Sequence, residues 1–132
     1  MIAASPRYYL DWTIKNWTKD RSLTAIGEDA LAHYRALFEE PARIHALCED
    51  YRAGATFDRR LDDQDRTAGA KIAAPTLVLW GSDYLGRGDV PPLEVWQRWC
   101  QSVTGREIVS GHFLAEENPA DTAAAVLEFL KR

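Results

Sequence analysis

The chain has 132 residues, 46% of them hydrophobic, so one folded unit with a packed core is expected rather than global disorder. The net charge is −4. Acidic and basic residues are interleaved along the chain, so they do not form the basic stripe that nucleic-acid binding needs. No apolar run reaches the length of a membrane span, and the first ten residues are too polar for a secretory leader. We therefore expect a cytoplasmic protein with neither a nucleic acid nor a membrane as partner.

The two cysteines, Cys48 and Cys100, lie far apart in the sequence and within helical patterns. They form no CxxC pair and no His/Cys spacing of the kind that holds a metal. Buried free thiols in a reducing compartment are the better interpretation. We expect neither a metal nor a cofactor.

The first half of the chain is predicted to be helical, because its apolar residues recur at three- and four-residue steps. A first helix follows Pro6, a second comes after it, and a third begins at Pro41. The highly charged stretch 58–66 predicts an exposed helix or loop. The three apolar faces are formed by Leu10, Ile14 and Trp17, by Leu31, Tyr34 and Phe38, and by Ile44, Leu47, Cys48, Tyr51 and Ala55.

The pattern changes at Thr76–Trp80, a continuous apolar run that Gly81 stops. Such a run is typical of a strand buried on both faces in a parallel sheet. A helix is then predicted to begin at Pro91 and Pro92 and to end near Gly105. A second short strand follows at 107–109.

The last predicted helix begins with Asn118 as its cap and Pro119 as its first residue. Its inner face is expected to consist of Ala123, Val126, Leu127 and Leu130. The order strand, helix, strand, helix implies a right-handed crossover between two parallel strands, and therefore an α/β fold class.

Two parallel strands alone cover too little of the apolar strand Thr76–Trp80. Either neighbouring strands come from another copy of the chain, or the polypeptide is part of a larger α/β protein that includes an N-terminal half. We expect self-association through Thr76–Trp80 in the first case.

His112 is the strongest candidate for a catalytic residue, because the segment Ser110-Gly111-His112-Phe113 follows the second strand at its carboxyl end. Ligand and catalytic groups of open α/β sheets collect at that end. An imidazole can also accept a proton from water near neutral pH. From the residues alone a structural role stays open, since a loop histidine is structural more often than catalytic.

Three motifs carry a resemblance to a known family. They are Cys48–Ala55, Pro75–Gly81, and Gly111–Leu114 followed by Glu116 and Glu117. In order and spacing they resemble the haloacetate (fluoroacetate) dehalogenases among the α/β-hydrolases, over nearly the whole chain. The resemblance implies the C-terminal part of an α/β-hydrolase fold. It makes 1–70 a helical cap segment and 71–132 the end of the hydrolase core, with a β-α-β-α unit.

The family's chemistry implies roles for three residues. In that chemistry an aspartate carboxylate displaces the halide from a small 2-haloacid, and a histidine-activated water hydrolyses the resulting ester. His112 matches the histidine, Tyr51 matches a cap tyrosine that donates a hydrogen bond to the departing halide, and Trp17 matches a cap tryptophan that shapes the pocket. Apart from the resemblance, aromatic residues at helical spacing are usually core.

The nucleophile has no match, since neither Gly-x-Asp-x-Gly nor Gly-x-Ser-x-Gly occurs in the 132 residues. We therefore expect a truncated chain that is inactive alone. The alternative is a non-catalytic module that dimerises or binds a small acid.

Asp83 is a weaker candidate, as the acid that pairs with His112. It follows the end of the first strand, where many α/β-hydrolases place that acid, but Tyr84 occupies the commoner Gly-x-x-Asp position. Dehalogenase-like members take the acid from an earlier strand. A solvated turn carboxylate is the other interpretation of Asp83.

Overall fold

A computed structural model describes residues 2–131. In chain order the elements are α1 (Pro6–Trp17), α2 (Glu28–Phe38), α3 (Pro41–Ala55), α4 (Phe57–Ala68), β1 (Thr76–Gly81), α5 (Pro92–Trp99), β2 (Val103–Ile108), α6 (Leu114–Glu117) and α7 (Pro119–Leu130). Short 3-10 turns lie at Ile2–Ala4 and Leu85–Arg87. The helix starts expected after Pro6, at Pro41 and at Pro119 are present.

The chain forms two compact units. The first contains the residues up to Thr13 and the segment Gly27–Ala70, and the second contains Ile14–Ile26 and the residues from Lys71 onward. In the part of the chain that the structure describes, no helix is both long and apolar enough to cross a bilayer.

The first unit is helical throughout its regular structure. Leu31 of α2 and Ile44 of α3 are buried, and α3 packs against α2 and α4. The Arg35 guanidinium donates two hydrogen bonds, of 2.8 and 2.7 Å, to the Asp11 carboxylate, which fixes α1 against α2 within this unit. The charged stretch predicted as an exposed helix or loop is the exposed helix α4, which ends at Gly69 in the left-handed conformation (φ 68°).

The second unit contains a sheet in which β1 and β2 run parallel, with Thr76 paired to Val103 and Gly81 paired to Ile108. Helix α5 contacts both strands and α7 contacts β1. Asn118 caps α7, because its side-chain oxygen accepts the N–H of Asp121. The predicted α/β class with two parallel strands is confirmed.

The prediction that α5 runs to Gly105 was wrong. The helix ends at Trp99, Cys100 is extended, and Gly105 lies inside β2. A Cβ at Gly105 would overlap the carbonyl oxygen of Val78 on the neighbouring strand. The glycine therefore serves close strand packing, which local sequence does not distinguish from a helix stop.

The prediction that β1 is buried on both faces was also wrong, since its buried residues are Val78 and Gly81 alone. One edge of β1 pairs with β2, and the other borders a groove of about 320 Å³. The groove is lined by Thr76, Leu77, Val78, Leu79, Trp80, Leu85, Pro92 and Trp96.

The expected inner face of α7 is likewise mostly exposed. Ala125 is its buried residue, whereas Val126, Leu127 and Leu130 lie in solvent. Both cysteines are free thiols. Cys100 is buried as expected, but Cys48 is only half-buried.

Two glycines allow three backbone segments of the second unit to meet. A Cβ at Gly81 would overlap the carbonyl oxygen of Gly111. A Cβ at Gly111 would overlap the carbonyl oxygen of Trp17 and would lie 2.5 Å from the backbone nitrogen of Lys19. Since these obstacles are backbone atoms, a larger side chain at either position must displace a segment.

We therefore expect Gly111→Ala to lower the free energy of unfolding by about 1–3 kcal/mol, measured by thermal or urea denaturation. The same substitution at Gly54 in α3, where a Cβ meets nothing within 4 Å, is the control. There alanine should be neutral or stabilising by up to about 1 kcal/mol, because it restricts the unfolded chain. Equal effects at the two positions would contradict the proposed backbone packing.

Candidate active site

His112 lies in the loop between β2 and α6, and its backbone is attached to the end of α1. Its N–H donates a 2.8 Å hydrogen bond to the carbonyl oxygen of Trp17, the last residue of α1. Thr18, only 2% exposed, turns the chain there, because its hydroxyl donates to the Ser22 carbonyl (2.8 Å) and accepts the Ser22 N–H (3.1 Å). The end of α1 is thereby fixed beside the histidine loop.

Three aromatic rings surround the imidazole of His112. The ring centroids of Tyr84, Trp17 and Phe113 lie 4.5, 4.8 and 5.0 Å from it. The planes are steeply inclined, at 86°, 65° and 88°, which is the edge-to-face arrangement that aromatic rings favour. The imidazole is therefore partly withdrawn from water and held on three sides.

This burial lowers the pKa of His112 below its ordinary value of 6.5, and the Glu117 carboxylate acts in the opposite direction. Burial is the larger effect, so the imidazole is neutral at pH 7. A neutral imidazole can accept a proton from water, which is the property that a general base requires.

Glu117 fixes the same loop through its carboxylate. One oxygen, Oε2, accepts the N–H groups of Lys19 (2.7 Å) and Gly111 (2.9 Å), and Oε1 accepts the N–H of Phe113 (3.0 Å). Nothing in the sequence distinguishes Glu117 from the neighbouring Glu116, since both follow the same motif. Two of its donors are only four and six residues away, but the third, the N–H of Lys19, is 98 residues away and could not have been found from the pattern.

The carboxylate of Asp83 contacts cations. Its neighbours are Lys19, whose Nζ lies 3.6 Å away, and Arg87, while the Ser82 hydroxyl donates a 3.3 Å hydrogen bond to it. Its backbone N–H donates to Ser110 in the histidine loop. The structure thus gives the Asp83 carboxylate two basic partners, and a pairing with His112 stays a prediction.

The two aromatic residues with predicted roles lie in different units. Trp17 touches the imidazole of His112, as described above, and its role in shaping a substrate pocket stays a prediction. Tyr51 belongs to α3 in the first unit, and its side chain is 63% exposed. Its role as a halide ligand also stays a prediction. Within residues 2–131, no cluster of three or more His, Cys, Asp or Glu side chains could hold a metal ion.

Comparison with known proteins bears on this arrangement. No family model matches the chain. Over 130 residues it is 32% identical to a fluoroacetate dehalogenase from Burkholderia sp, a match that covers 98% of this chain and 42% of the relative. The resemblance to the dehalogenase-like α/β-hydrolases is confirmed.

Solved structures agree with this resemblance. A protein from Nostoc sp PCC 7120 described as an alpha/beta hydrolase has a TM-score of 0.90 at 43% identity, covering 98% of this chain. A protein from Pseudomonas aeruginosa described as an epoxide hydrolase has a TM-score of 0.88 at 37% identity, also over 98% of this chain. This chain spans 43% of the length of each of these two proteins.

The aromatic surroundings of His112 lead to a testable titration. We expect the imidazole of His112, followed by NMR and assigned with His112→Gln, to titrate below 6.5. Tyr84→Ala should raise this pKa toward the ordinary value by admitting water, while Tyr84→Phe should leave it nearly unchanged because the ring remains. If the pKa of His112 were the same in the parent chain, in Tyr84→Ala and in Tyr84→Phe, the Tyr84 ring would not be what excludes water from the imidazole.

The same shift fixes the sign of a pH effect on stability. Because the unfolded chain protonates this histidine more readily, protons favour unfolding between pH 6.5 and the lower pKa of the folded state. His112 therefore makes the free energy of unfolding decrease as the pH falls through this window. His112→Gln should lack that part of the decrease, which denaturation of both chains at several pH values would measure.

Proposed function

We propose that this chain supplies the water-activating histidine of a hydrolase that cleaves carbon–halogen bonds in small 2-haloacids. The observation that carries the proposal is the partly buried imidazole of His112, which is anchored through its backbone and contacts three aromatic rings. The similarity to a fluoroacetate dehalogenase over nearly the whole chain supports the choice of substrate class.

The proposed reaction has two steps. An aspartate carboxylate oxygen attacks the carbon that bears the halogen, the halide leaves with the bonding electrons, and a carboxymethyl ester forms. A water molecule then gives a proton to His112 and attacks the ester carbonyl carbon. The bond between that carbon and the ester oxygen breaks, the departing oxygen takes the proton back from His112 to give the 2-hydroxyacid, and the aspartate loses its own proton to solvent and is again a carboxylate. His112 acts only in the second step. Trp17 is proposed to shape the pocket and Tyr51 to bind the departing halide.

We further propose that this 132-residue polypeptide does not release halide by itself. It contains no Gly-x-Asp-x-Gly elbow to present a nucleophile. Asp83 is a poor substitute, because its carboxylate is engaged by Lys19 and Arg87 and the sequence Gly81-Ser82-Asp83-Tyr84 lacks the second glycine.

A cytoplasmic location is part of the same proposal, since both thiols are free.

The first test measures halide release from fluoroacetate and chloroacetate by the purified chain and by His112→Ala. Neither should exceed background, because removing a nucleophile costs several orders of magnitude in rate. Robust release that His112→Ala abolishes would show that the chain holds a nucleophile that we have missed. An epoxide substrate belongs in the same assay, because one of the similar structures is described as an epoxide hydrolase.

A chimera gives the positive arm of this test. In it, this chain replaces the matching region of the Burkholderia fluoroacetate dehalogenase. The chimera should release fluoride, and its His112→Gln variant should accumulate the carboxymethyl ester, detectable by mass spectrometry of the intact protein. Turnover that is unaffected by His112→Gln would refute the role of His112.

We also propose that the free edge of β1 pairs with a second copy of the chain. The support is the apolar groove along Thr76–Trp80, since an unpaired strand edge beside apolar surface favours association. Together with an inactive chimera, a dimer would favour the alternative of a non-catalytic dimerising module.

Light scattering at roughly tens of micromolar should therefore give the mass of a dimer. The N–H groups of Thr76 and Ser82 point to β2, so by alternation the N–H of Leu77 points to the free edge. Leu77→Pro removes that donor and should give a monomer. The control is Leu130→Lys on the exposed end of α7, which should leave the mass unchanged. A folded, monomeric parent chain would refute the pairing.

A further inference from the structure

The backbone on both sides of His112 is bound by a single carboxylate. Glu117 accepts the N–H of Gly111, which precedes the histidine, and the N–H of Phe113, which follows it. The N–H of His112 itself goes to Trp17. Every backbone N–H from residue 111 to residue 113 therefore has a partner outside the three residues.

The bond between Phe113 and Glu117 is reciprocal. The backbone N–H of Glu117 donates to the carbonyl oxygen of Phe113 at 2.8 Å, while its side chain accepts the N–H of Phe113 at 3.0 Å. The other carboxylate oxygen also reaches the N–H of Lys19, beyond the end of α1. Glu117 thus joins the histidine loop to α6 and to the segment after α1.

The chemistry of these bonds requires a carboxylate. Hydrogen bonds to an ionised acceptor are shorter and about twice as strong as those between neutral groups. A glutamine in the same place has one acceptor oxygen, and its NH₂ group would face a backbone donor. At least one of the three N–H groups would lose its partner.

We infer that Glu117 is a positioning residue for His112: its carboxylate fixes the backbone on both sides of the histidine and so holds the imidazole between Tyr84, Trp17 and Phe113. The inference rests on the proposed function in one respect, that His112 is the base that activates water. The ring direction matters for that role, because a base must lie within hydrogen-bond reach of the proton that it removes.

A purely structural role of Glu117 would lower stability without moving the imidazole in the folded chain. The test therefore follows the ring itself, by NMR well below the unfolding temperature. In the parent chain we expect nuclear Overhauser contacts from the His112 ring to Tyr84 and Trp17, and ring-current displacement of its proton signals.

Glu117→Gln should weaken or abolish these contacts and move the imidazole signals toward those of an exposed histidine. Hydrogen exchange at the amides of Gly111 and Phe113 should become at least about tenfold faster. Glu116→Gln removes the neighbouring carboxylate, which makes none of the three bonds, and should leave both readouts as in the parent. Parent-like contacts and exchange in Glu117→Gln would overturn the inference.

A measurement on the parent chain covers the case in which Glu117→Gln does not fold. Couplings transmitted through hydrogen bonds, from the amide nitrogens of Gly111 and Phe113 to the carboxylate carbon of Glu117, should be detectable. Their absence in a folded parent would overturn the inference. Because no substrate is used, these results do not depend on halide release, and the two proposals can fail separately.

Discussion

The close approach between the end of α1 and the loop after β2 is the constraint on which the rest of the candidate site depends. It requires glycine at position 111, because a side chain there would occupy the space of the Trp17 backbone. It brings the Trp17 ring onto His112 and gives the His112 N–H its partner. The same packing contributes to the lowered pKa of the imidazole, since it places the Trp17 ring against His112 and so helps to exclude water.

Local signals in the sequence were sufficient for most of the second unit's elements. The run Thr76–Trp80 and the Asn118-Pro119 cap each specify an element through a few adjacent residues. Gly105 was misread because the same residue can stop a helix or let two strands approach, and only the partner strand decides which. The burial of β1 could not be predicted, because burial depends on neighbours that the run itself does not encode.

The candidate site was predictable to the extent that it is local. The position of His112 after a strand, and its loop glycine, are visible in the sequence, and the family resemblance pointed to Trp17. Tyr84 was seen only as the residue in the place of an expected acid, yet its ring lies beside the imidazole. Glu117 received no role, because the motif does not separate it from Glu116 and because one of its three donors, the N–H of Lys19, is 98 residues away in sequence. Such tertiary partners leave no pattern in a single sequence.

The distribution of the two thiols has a consequence for following the motions of this protein. Cys100 belongs to the second unit, is 3% exposed and forms an isolated β-bridge with Ile72. An alkylating reagent can therefore reach its thiol only when that unit opens. Cys48 is half-buried on α3 in the first unit and is more accessible. Each unit thus carries one chemical reporter. The two alkylation rates would separate the local opening of one unit from that of the other without any added label.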